Sequence, residues 1–352
     1  MSRILLASAQ EDFDFPLAEA TRKQILAQAE RFWHHGHQVS VLIISPKRQS
    51  YTVHGGVPIW VVPRRQLWCA LTLCARHERL VFFGSSGLTA LVLALVMPLR
   101  ERTLVFTDGE LYSIGSNAGR RRALLKFAAP CYHTLGVYSD YQSELLRRDL
   151  PGATPKVIRI KPIVGAAPID MSVSKSSRPR LLYMGHLSAF KGVATVLDCF
   201  EGLLGEIDGL ELVLACNGLD YGSDLGRRID DLRGKFGDRV IIKNKVDPLR
   251  ELQRAHLYLY PLKQHAGTFA FPFSLYESLV AGTPFLAGKL ASVREFFDDS
   301  FLCEPEHPDE FIDRARAILT GKVSMQLAIE SNLQRLQKVV IGAPDQTREA
   351  IA

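Results

Sequence analysis

Most of the residues that could do chemistry lie in two segments of the second half of the chain. In the first, the apolar run 181–184 predicts a short buried strand, and Gly185 lets the backbone turn tightly. Lys191 then stands on the loop before an amphipathic helix, where a lysine meets a phosphate as a point charge. The alternative is a solvated lysine near a helix start, which the helix dipole disfavours only mildly.

The second segment, residues 258–295, predicts a strand, a loop, a helix that begins near Ser274, and a further strand. The first N–H groups of such a helix and its positive dipole end are directed at the preceding loop, where an anion is the natural ligand. Glu277 lies one turn inside the helix and could accept hydrogen bonds from the two hydroxyls of a ribose. Ser274 and Glu277 also fit a capping box, in which Glu277 only closes the start of its own helix.

Together the two segments resemble the retaining family-4 glycosyltransferases of the GT-B fold, the glycosyl transferases group 1. The second domain of that family opens with a strand and Gly-Arg, has a Lys-Gly pair at a fixed interval, and later carries a Glu-x7-Glu signature and a small-Gly-x-Pro turn. Over about residues 180–320 this chain matches the order and intervals, with the following residues: Gly185-His186, Lys191-Gly192, Phe271-Pro272, Glu277, Ala281-Gly282-Thr283-Pro284 and Glu295.

Several positions depart from the family's pattern. His186 replaces the phosphate-contacting arginine; it can donate a hydrogen bond but carries a full charge only when protonated. Phe269 replaces the first glutamate of the signature, which in the family faces the donor sugar. The loop 8–16 lacks the family's glycines, and Asp108 stands where the family has a first-domain active-site histidine. Asp108 fits a contact with an acceptor hydroxyl and an ordinary turn at a strand end equally well.

The resemblance implies an α/β protein with two Rossmann-like, doubly wound domains facing a central cleft. It also implies a retaining transfer of sugar from a nucleotide-sugar donor to a saccharide or lipid-linked acceptor, in the synthesis of cell-surface polysaccharide or glycolipid. The nucleotide sugar is a substrate, and the resemblance implies neither a metal nor a resident cofactor.

The resemblance also assigns roles. Asp108, Lys191 and His186 are the predicted catalytic residues, with Lys191 and His186 at the diphosphate and Asp108 at the reacting sugars. The positive groups stabilise the departing nucleotide. The remaining predicted nucleotide-site residues are the turn glycine, the N–H groups at the helix start, the ribose glutamate and a weaker glutamate candidate: Gly185, Phe273, Ser274, Leu275, Glu277 and Glu295.

Other functions stay open at this point. A sugar-nucleotide epimerase of the same fold reacts without an acceptor. A non-catalytic family member that serves as a partner subunit is consistent with the changes at Phe269, His186 and Asp108. A nucleotide-binding regulator is less favoured, because the chain predicts two such domains and no effector segment.

Length and composition fit this interpretation. A chain of 352 residues with 47% hydrophobic and 23% charged residues predicts two globular domains. A polar, serine-rich stretch at 171–179 predicts a linker between a first domain at 1–170 and a second at 180–330, with a helical region at 331–352. The six scattered cysteines predict reduced thiols in a cytoplasmic protein.

The first domain alternates strand and helix from its first residues. The sequence predicts a strand at 3–9 rather than a signal peptide, and a helix from about Leu17 to Trp33. The apolar stretch 87–99 is interrupted at Pro98 and falls short of the ~20 residues that span a bilayer, which predicts a buried helix. Further strands are predicted at these ranges: 38–44, 57–62, 79–83, 103–107, 136–139 and 156–160.

Charge is divided unevenly. Residues 1–169 hold 21 Lys and Arg against 12 Asp and Glu, so the first domain is the basic one. Arg120, Arg121, Arg122 and Lys126 frame an apolar helix face, which fits an anionic membrane surface and a solvated face of a basic protein equally well. The sequence contains no nucleic-acid-binding motif, and His34, His35 and His37 indicate a solvated helix end rather than a metal site.

Overall fold

The computed structural model describes residues 2–340 apart from 10–19, 46–49, 64–65, 67–71, 85–86, 97–100, 108–117, 151–154, 164–168, 217–222 and 266–267. The chain divides into two compact units. The first contains Met1–Gly165 and Ala266–Phe271, and the second contains Ala166–His265 and Pro272–Val339. A short piece from the second half of the sequence therefore belongs to the first unit.

The first unit is built on an eight-stranded sheet of order β3-β4-β2-β1-β5-β6-β7-β8, in which only β3 is antiparallel to its neighbour. Its strands are β1 Arg3–Ala9, β2 Gln38–Ser45, β3 Ser50–His54, β4 Val57–Pro63, β5 Arg79–Phe83, β6 Glu101–Val105, β7 Thr134–Val137 and β8 Lys156–Arg159. Its described helices of eight or more residues are α1 Ala20–His34, α2 Gly87–Val96, α3 Ala118–Ala128 and α4 Asp140–Asp149.

Alternate residues of the central strand β1 are buried on opposite faces of the sheet. Leu5 and Ala7 of β1 face a core that includes side chains of α2, α3 and α4. The alternate residues Ile4 and Leu6 face a second core, which includes α1. Parallel strands buried on both faces need helices on both sides, which is why their sequences read as continuous apolar runs.

The second unit has a six-stranded parallel sheet of order β11-β10-β9-β12-β13-β14. Its strands are β9 Arg180–Met184, β10 Glu211–Ala215, β11 Val240–Lys243, β12 Leu257–Tyr260, β13 Phe285–Gly288 and β14 Leu302–Cys303. Its helices are α5 Val193–Leu203, α6 Asp224–Phe236, α7 Pro248–Arg254, α8 Phe273–Val280, α9 Ala291–Phe296, α10 Pro308–Leu319 and α11 Gln326–Val340.

The strand order of the second unit fixes where a ligand can bind. The chain leaves β9 to one side to form β10 and β11, and returns on the other side of β9 to form β12. The order therefore reverses between β9 and β12. In doubly wound sheets, ligands bind outside the carboxyl ends of the strands at such a reversal.

The α/β class with two doubly wound parallel sheets is confirmed, and most predicted strands are found within two residues of their predicted ends. Two features differ. Strand β3 was not predicted, because its residues are mostly exposed and lack an alternating apolar pattern. The helix predicted as buried at 87–99 is α2, whose Leu88 and Leu95 are 58% and 63% exposed. None of the described helices combines the length and apolar character needed to cross a membrane.

Two glycines allow other parts of the second unit to pack closely against the chain that leaves β12. Gly192 has a left-handed φ of 71°, and a Cβ there would lie 1.8 Å from the carbonyl oxygen of Pro261. A Cβ on Gly288, at the end of β13, would lie 2.0 Å from the carbonyl oxygen of Leu262. Both contacts are with backbone, so neither can be relieved by a side chain moving aside. Only glycine allows α5 and β13 to approach the loop after β12 this closely.

We expect Gly192→Ala to destabilise the protein by more than ~2 kcal/mol, because the left-handed φ and the contact with Pro261 both oppose a Cβ. Thermal unfolding measures the change. Gly234→Ala is the matched control: Gly234 lies inside α6 with nothing within 4 Å of a Cβ. There alanine should stabilise by ~0.5–1 kcal/mol. Equal melting temperatures of the two variants would contradict the close approach.

Candidate functional site

A hydrogen bond from a buried tyrosine holds the loop after β9 in place. The Tyr183 hydroxyl donates to the carbonyl oxygen of His186 at 2.7 Å, and the Gly185 N–H donates to the carbonyl of Ala215 at 3.1 Å. Gly185 has a φ of 148°, which glycine adopts readily. Burial raises the pKa of Tyr183 above its usual value, so its hydroxyl stays protonated and remains a donor. Gly185 and His186 are thus exposed at the carboxyl end of the sheet.

Lys191 ends a single 3-10 turn, Ala189–Lys191, directly before α5. Its side chain is half-buried, with Nζ 5.5 Å from the centroid of the Phe190 ring, a cation–π distance. The carbonyl of Phe190 accepts a hydrogen bond from the N–H of Lys263 at 3.0 Å, which ties this turn to the loop after β12. The predicted placement of Lys191 on a loop leading into a helix is found.

The start of α8 differs from a capping box. The N-cap is Pro272, which has no side-chain cap, and Ser274 is already inside the helix. The Ser274 hydroxyl instead bonds with the hydroxyl of the fully buried Tyr258 at 3.0 Å. The capping-box interpretation of Ser274 and Glu277 is therefore wrong. Glu277 lies one turn inside α8 and is half-buried.

The three predicted backbone donors of α8 are not equivalent. The N–H of Leu275 donates to the carbonyl of Pro272 at 3.0 Å, inside the first turn of the helix. This bond removes Leu275 from the set of groups that can face a ligand. Phe273 and Ser274 supply the first N–H groups of α8, at the positive end of its dipole.

Two of these elements follow neighbouring strands of the sheet. The loop that holds His186 and Lys191 follows β9, and the loop that leads to α8 follows β12, the neighbouring strand. Both leave the carboxyl edge of the sheet at its point of reversal. Glu295 lies in α9, which follows β13, the next strand outward. Asp108 lies outside the described residues.

Phe269 occupies an unexpected environment. Its ring centroid is 5.0 Å from that of Tyr138, which is 1% exposed, and it packs against the core of the first unit. The next residue, Ala270, is fully buried in that core and donates its N–H to the carbonyl of Thr107 at 2.8 Å. The position that carries a sugar-facing glutamate in the resembling family is here an apolar anchor. Nothing in the order of the sequence indicated that residues 268–271 would pack with the first unit.

The loop after β12 contains a buried histidine, His265, that the sequence analysis did not single out. The ring Nδ1 of His265 lies 2.8 Å from the hydroxyl of Ser292. Burial lowers the pKa of His265 to about 4, so it is neutral at pH 7 and acts as a fixed hydrogen-bonding group. It thereby joins the loop after β12 to the start of α9. No short-range signal reveals this pair, because its members are far apart in sequence.

Comparison with known proteins finds a family match in the second half of the chain. Residues 178–321 match the family model of the glycosyl transferases group 1, which confirms over that segment the predicted resemblance to group 1. Among curated proteins, none matches the chain in sequence.

Solved structures match the whole chain. It is similar to sucrose-phosphate synthase from Thermosynechococcus elongatus, with a TM-score of 0.76, 16% identity, and coverage of 100% of this chain and 97% of that chain. Anabaena HepE in complex with UDP gives 0.74, 13%, and 99% of both chains. An alpha,alpha-trehalose-phosphate synthase (UDP-forming) from Burkholderia xenovorans, in complex with glucose-6-phosphate, gives 0.70, 12%, 99% of this chain and 100% of that chain. At these identities the likeness shows the fold, and the predicted GT-B fold is confirmed.

We expect Phe269→Glu to destabilise the protein by about 1–3 kcal/mol, because it places a carboxylate against Tyr138 and the apolar core. Phe269→Leu keeps the site apolar and should cost less than ~1.5 kcal/mol. Denaturant unfolding measures both. A Phe269→Glu variant as stable as the wild type would show that this side chain can face solvent or a ligand, and the anchoring role would be lost.

Proposed function

We propose that this protein transfers a sugar from a nucleotide-sugar donor to a hydroxyl acceptor and that the second unit binds the nucleotide. One observation carries the proposal. The Lys191 loop follows β9, and α8 is the next helix after β12, the neighbouring strand, at the point where the strand order reverses. The match to the glycosyl transferases group 1 covers the same residues.

The chemistry follows from the groups at this edge. A nucleoside diphosphate leaving group gains negative charge as the glycosidic bond breaks. Lys191 and the dipole of α8 supply positive charge for it, and His186 can donate a hydrogen bond. Preorganised groups of this kind are an effective means of lowering a barrier. Phe273 and Ser274 can donate backbone N–H groups to the same phosphates. In this proposal no metal ion is needed to neutralise the diphosphate.

Glu277 is proposed to accept hydrogen bonds from the ribose hydroxyls. It lies one turn inside α8, close in the chain to the N–H groups of Phe273 and Ser274 that are proposed to face the phosphates. Glu295 is the weaker candidate on the nucleotide side. Structures similar to this chain were solved with UDP and with UDP-glucose, which makes a uridine nucleotide the first donor to test.

The acceptor is proposed to bind to the first unit, with Asp108 at the reacting sugars and retention at the anomeric carbon. A saccharide or lipid-linked acceptor would place the protein in polysaccharide or glycolipid synthesis. The described cysteines are unpaired thiols, most of them buried, which fits a reducing cytoplasm. A donor screen that measures nucleotide release with and without a crude lipid-linked acceptor fraction tests the reaction.

A second function is favoured by one observation. Because Phe269 is an anchor in the first unit, the carboxylate that would face a donor sugar is missing at that position. A protein that binds the nucleotide without transferring sugar, as a partner subunit, would show stabilisation by a nucleoside diphosphate and no nucleotide release. An epimerase of the same fold would convert the donor without any acceptor.

We expect Lys191→Ala to weaken binding of UDP by ~1.5–3 kcal/mol, the magnitude of a lost charge-assisted hydrogen bond. The melting temperature should change much less, because Lys191 is only half-buried. Calorimetric titration with UDP measures the affinity. Lys235→Ala, an exposed lysine of α6, is the control for charge alone. If both variants bind UDP as tightly as the wild type, Lys191 does not meet the diphosphate.

We expect Glu277→Gln to weaken binding of UDP while the melting temperature stays near that of the wild type. Glutamine keeps the size and most of the hydrogen-bonding capacity but removes the charged acceptor for the ribose. The effect should fall strongly when a 2′-deoxy nucleotide is used, since the lost partner is a hydroxyl. Glu295→Gln serves for comparison and should have the smaller effect. An affinity unaffected by Glu277→Gln would show that Glu277 does not contact the ribose.

A further inference from the structure

Strand β3 is the last strand at one edge of the eight-stranded sheet, and no described strand pairs with its outer side. Tyr51 and Val53 are each 55% exposed and lie on one face of β3, because side chains alternate along a strand. On the same face of β4, Trp60 lies opposite Tyr51 and Pro58 opposite Val53. The ring centroids of Tyr51 and Trp60 are 4.5 Å apart, and Trp60 is 37% exposed. The hairpin therefore presents an apolar surface beside a sheet edge.

The turn of this hairpin fixes which backbone groups of β3 point outward. A two-residue loop, Gly55-Gly56, joins β3 to β4, so the residues on either side of the loop exchange hydrogen bonds. Because hydrogen-bonded and non-hydrogen-bonded pairs alternate, the N–H and C=O groups of Tyr51 and Val53 point away from β4. The position of Pro58 agrees, since it has no N–H and lies opposite Val53 in a pair that needs none.

The edge strand lacks the usual protection against pairing. Natural sheet edges are commonly protected by charged side chains, proline or bulges. Residues 50–54 contain no Lys, Arg, Asp, Glu or Pro, and no bulge interrupts their register with β4. The hairpin is also held against α1: His54 Nε2 lies 3.2 Å from Glu30 Oε1, and a Cβ on Gly56 would lie 3.2 Å from the ring of Trp33. A fixed and unprotected edge is a template for a further strand.

The edge is complementary to itself. When β3 is placed antiparallel to β3 of a second copy about Thr52, Tyr51 lies opposite Val53 of that copy, and Val53 lies opposite its Tyr51. In each of these pairs the outward N–H and C=O groups meet, and both hydrogen bonds can form. The apolar surface continues across the junction, from Trp60 and Tyr51 to Val53 and Pro58 of the second copy. Thr52 meets its own counterpart, and a Thr–Thr pair across strands is favourable.

Charge does not oppose this pairing. Residues 50–63 contain no Lys, Arg, Asp or Glu. The nearest charged residues in the sequence are Arg48 and Arg64, which adjoin the end of the hairpin remote from its turn. In the antiparallel arrangement that end meets the turn of the second copy, where Oε1 of Glu30 would lie 3.1 Å from a Cβ on Gly55. The two basic ends are thus kept apart, and each approaches a carboxylate.

We propose that the protein forms a twofold homodimer in which β3 of one copy pairs antiparallel with β3 of the other and joins the two eight-stranded sheets into one continuous sheet. Strands of five residues give a short contact, smaller than that of most stable dimers, so dimerisation should depend on protein concentration. The dimer does not rest on the proposed sugar transfer, because the nucleotide is proposed to bind to the second unit.

Cysteine cross-linking of the full chain tests the register. Thr52→Cys places a thiol opposite its own counterpart in a non-hydrogen-bonded pair, where Cα atoms are about 4.5 Å apart, within the range of a disulfide. Tyr51→Cys and Val53→Cys are the matched controls, because each Cα would lie about 9 Å from its own counterpart, beyond that range. On oxidation we expect the Thr52→Cys variant to become a covalent dimer far more completely than either control. The wild type, with its native cysteines, gives the background.

Sedimentation velocity over a wide range of protein concentration measures the dimer without a cross-link. Val53→Pro removes an outward donor from each copy while leaving the hydrogen bonds to β4 in place, and it should weaken dimerisation roughly tenfold or more. Val53→Ile keeps the donor and the apolar side chain, and it should dimerise as the wild type does. Melting temperatures show whether each variant is folded. If Val53→Pro does not fold, the cross-linking of Thr52→Cys decides.

Three results would overturn the proposal. The first is a wild type that stays monomeric at every concentration, with no cross-linking of Thr52→Cys above the background. The second is a dimer that Val53→Pro leaves unchanged, or equal cross-linking of all three cysteine variants, which would assign dimerisation to another surface. The third is a monomer whose fluorescence responds to maltohexaose and loses that response in Trp60→Ala, which would assign the aromatic rings to a saccharide. A dimer that binds no UDP would sink the proposed nucleotide site and leave the β3 contact intact.

Discussion

The approach of Gly192 to the carbonyl of Pro261 is the contact on which the rest of the candidate site depends. It fixes the start of α5 against the chain that leaves β12, so that Lys191 and the route to α8 are positioned by the same crossing. Gly288 repeats the arrangement one strand further out, against Leu262. A backbone contact of this kind cannot adapt, and it makes the edge of the sheet rigid where a ligand with two phosphates would need fixed donors.

Buried tyrosines hydrogen-bond to the loop and the helix at this edge of the sheet. Tyr183 holds the carbonyl of His186, and Tyr258 holds the hydroxyl of Ser274. Burial raises the pKa of each above its usual value, so both remain neutral donors and add no negative charge beneath a site proposed to bind phosphate. The site thus combines a neutral hydrogen-bonded floor with positive charge from Lys191 and from a helix dipole. This is an arrangement suited to a leaving group that gains charge.

Much of the fold could be predicted from the sequence, because parallel strands and their connecting helices have strong apolar periods. The local placement of Lys191 and Gly192 could also be predicted from spacing. Contacts between distant segments could not. Ser274 has the sequence context of a helix cap, but its hydroxyl is hydrogen-bonded to the hydroxyl of Tyr258. No local sequence pattern indicates that hydrogen bond. Likewise the exposure of Leu88 depends on which side of α2 the neighbouring helix covers.

The location of residues 268–271 limits how the two units of this protein can be recombined with those of related proteins. Their chain neighbours belong to the second unit, whereas Phe269 and Ala270 complete the core of the first. A chimaera joined at a single point between the units would pack its Phe269 against the first-unit core of a different protein. Replacement of one unit alone would therefore leave Phe269 and Ala270 in a core whose other side chains do not fit them. The two halves are constrained to vary together at this place, even though each has its own sheet and most of its own core.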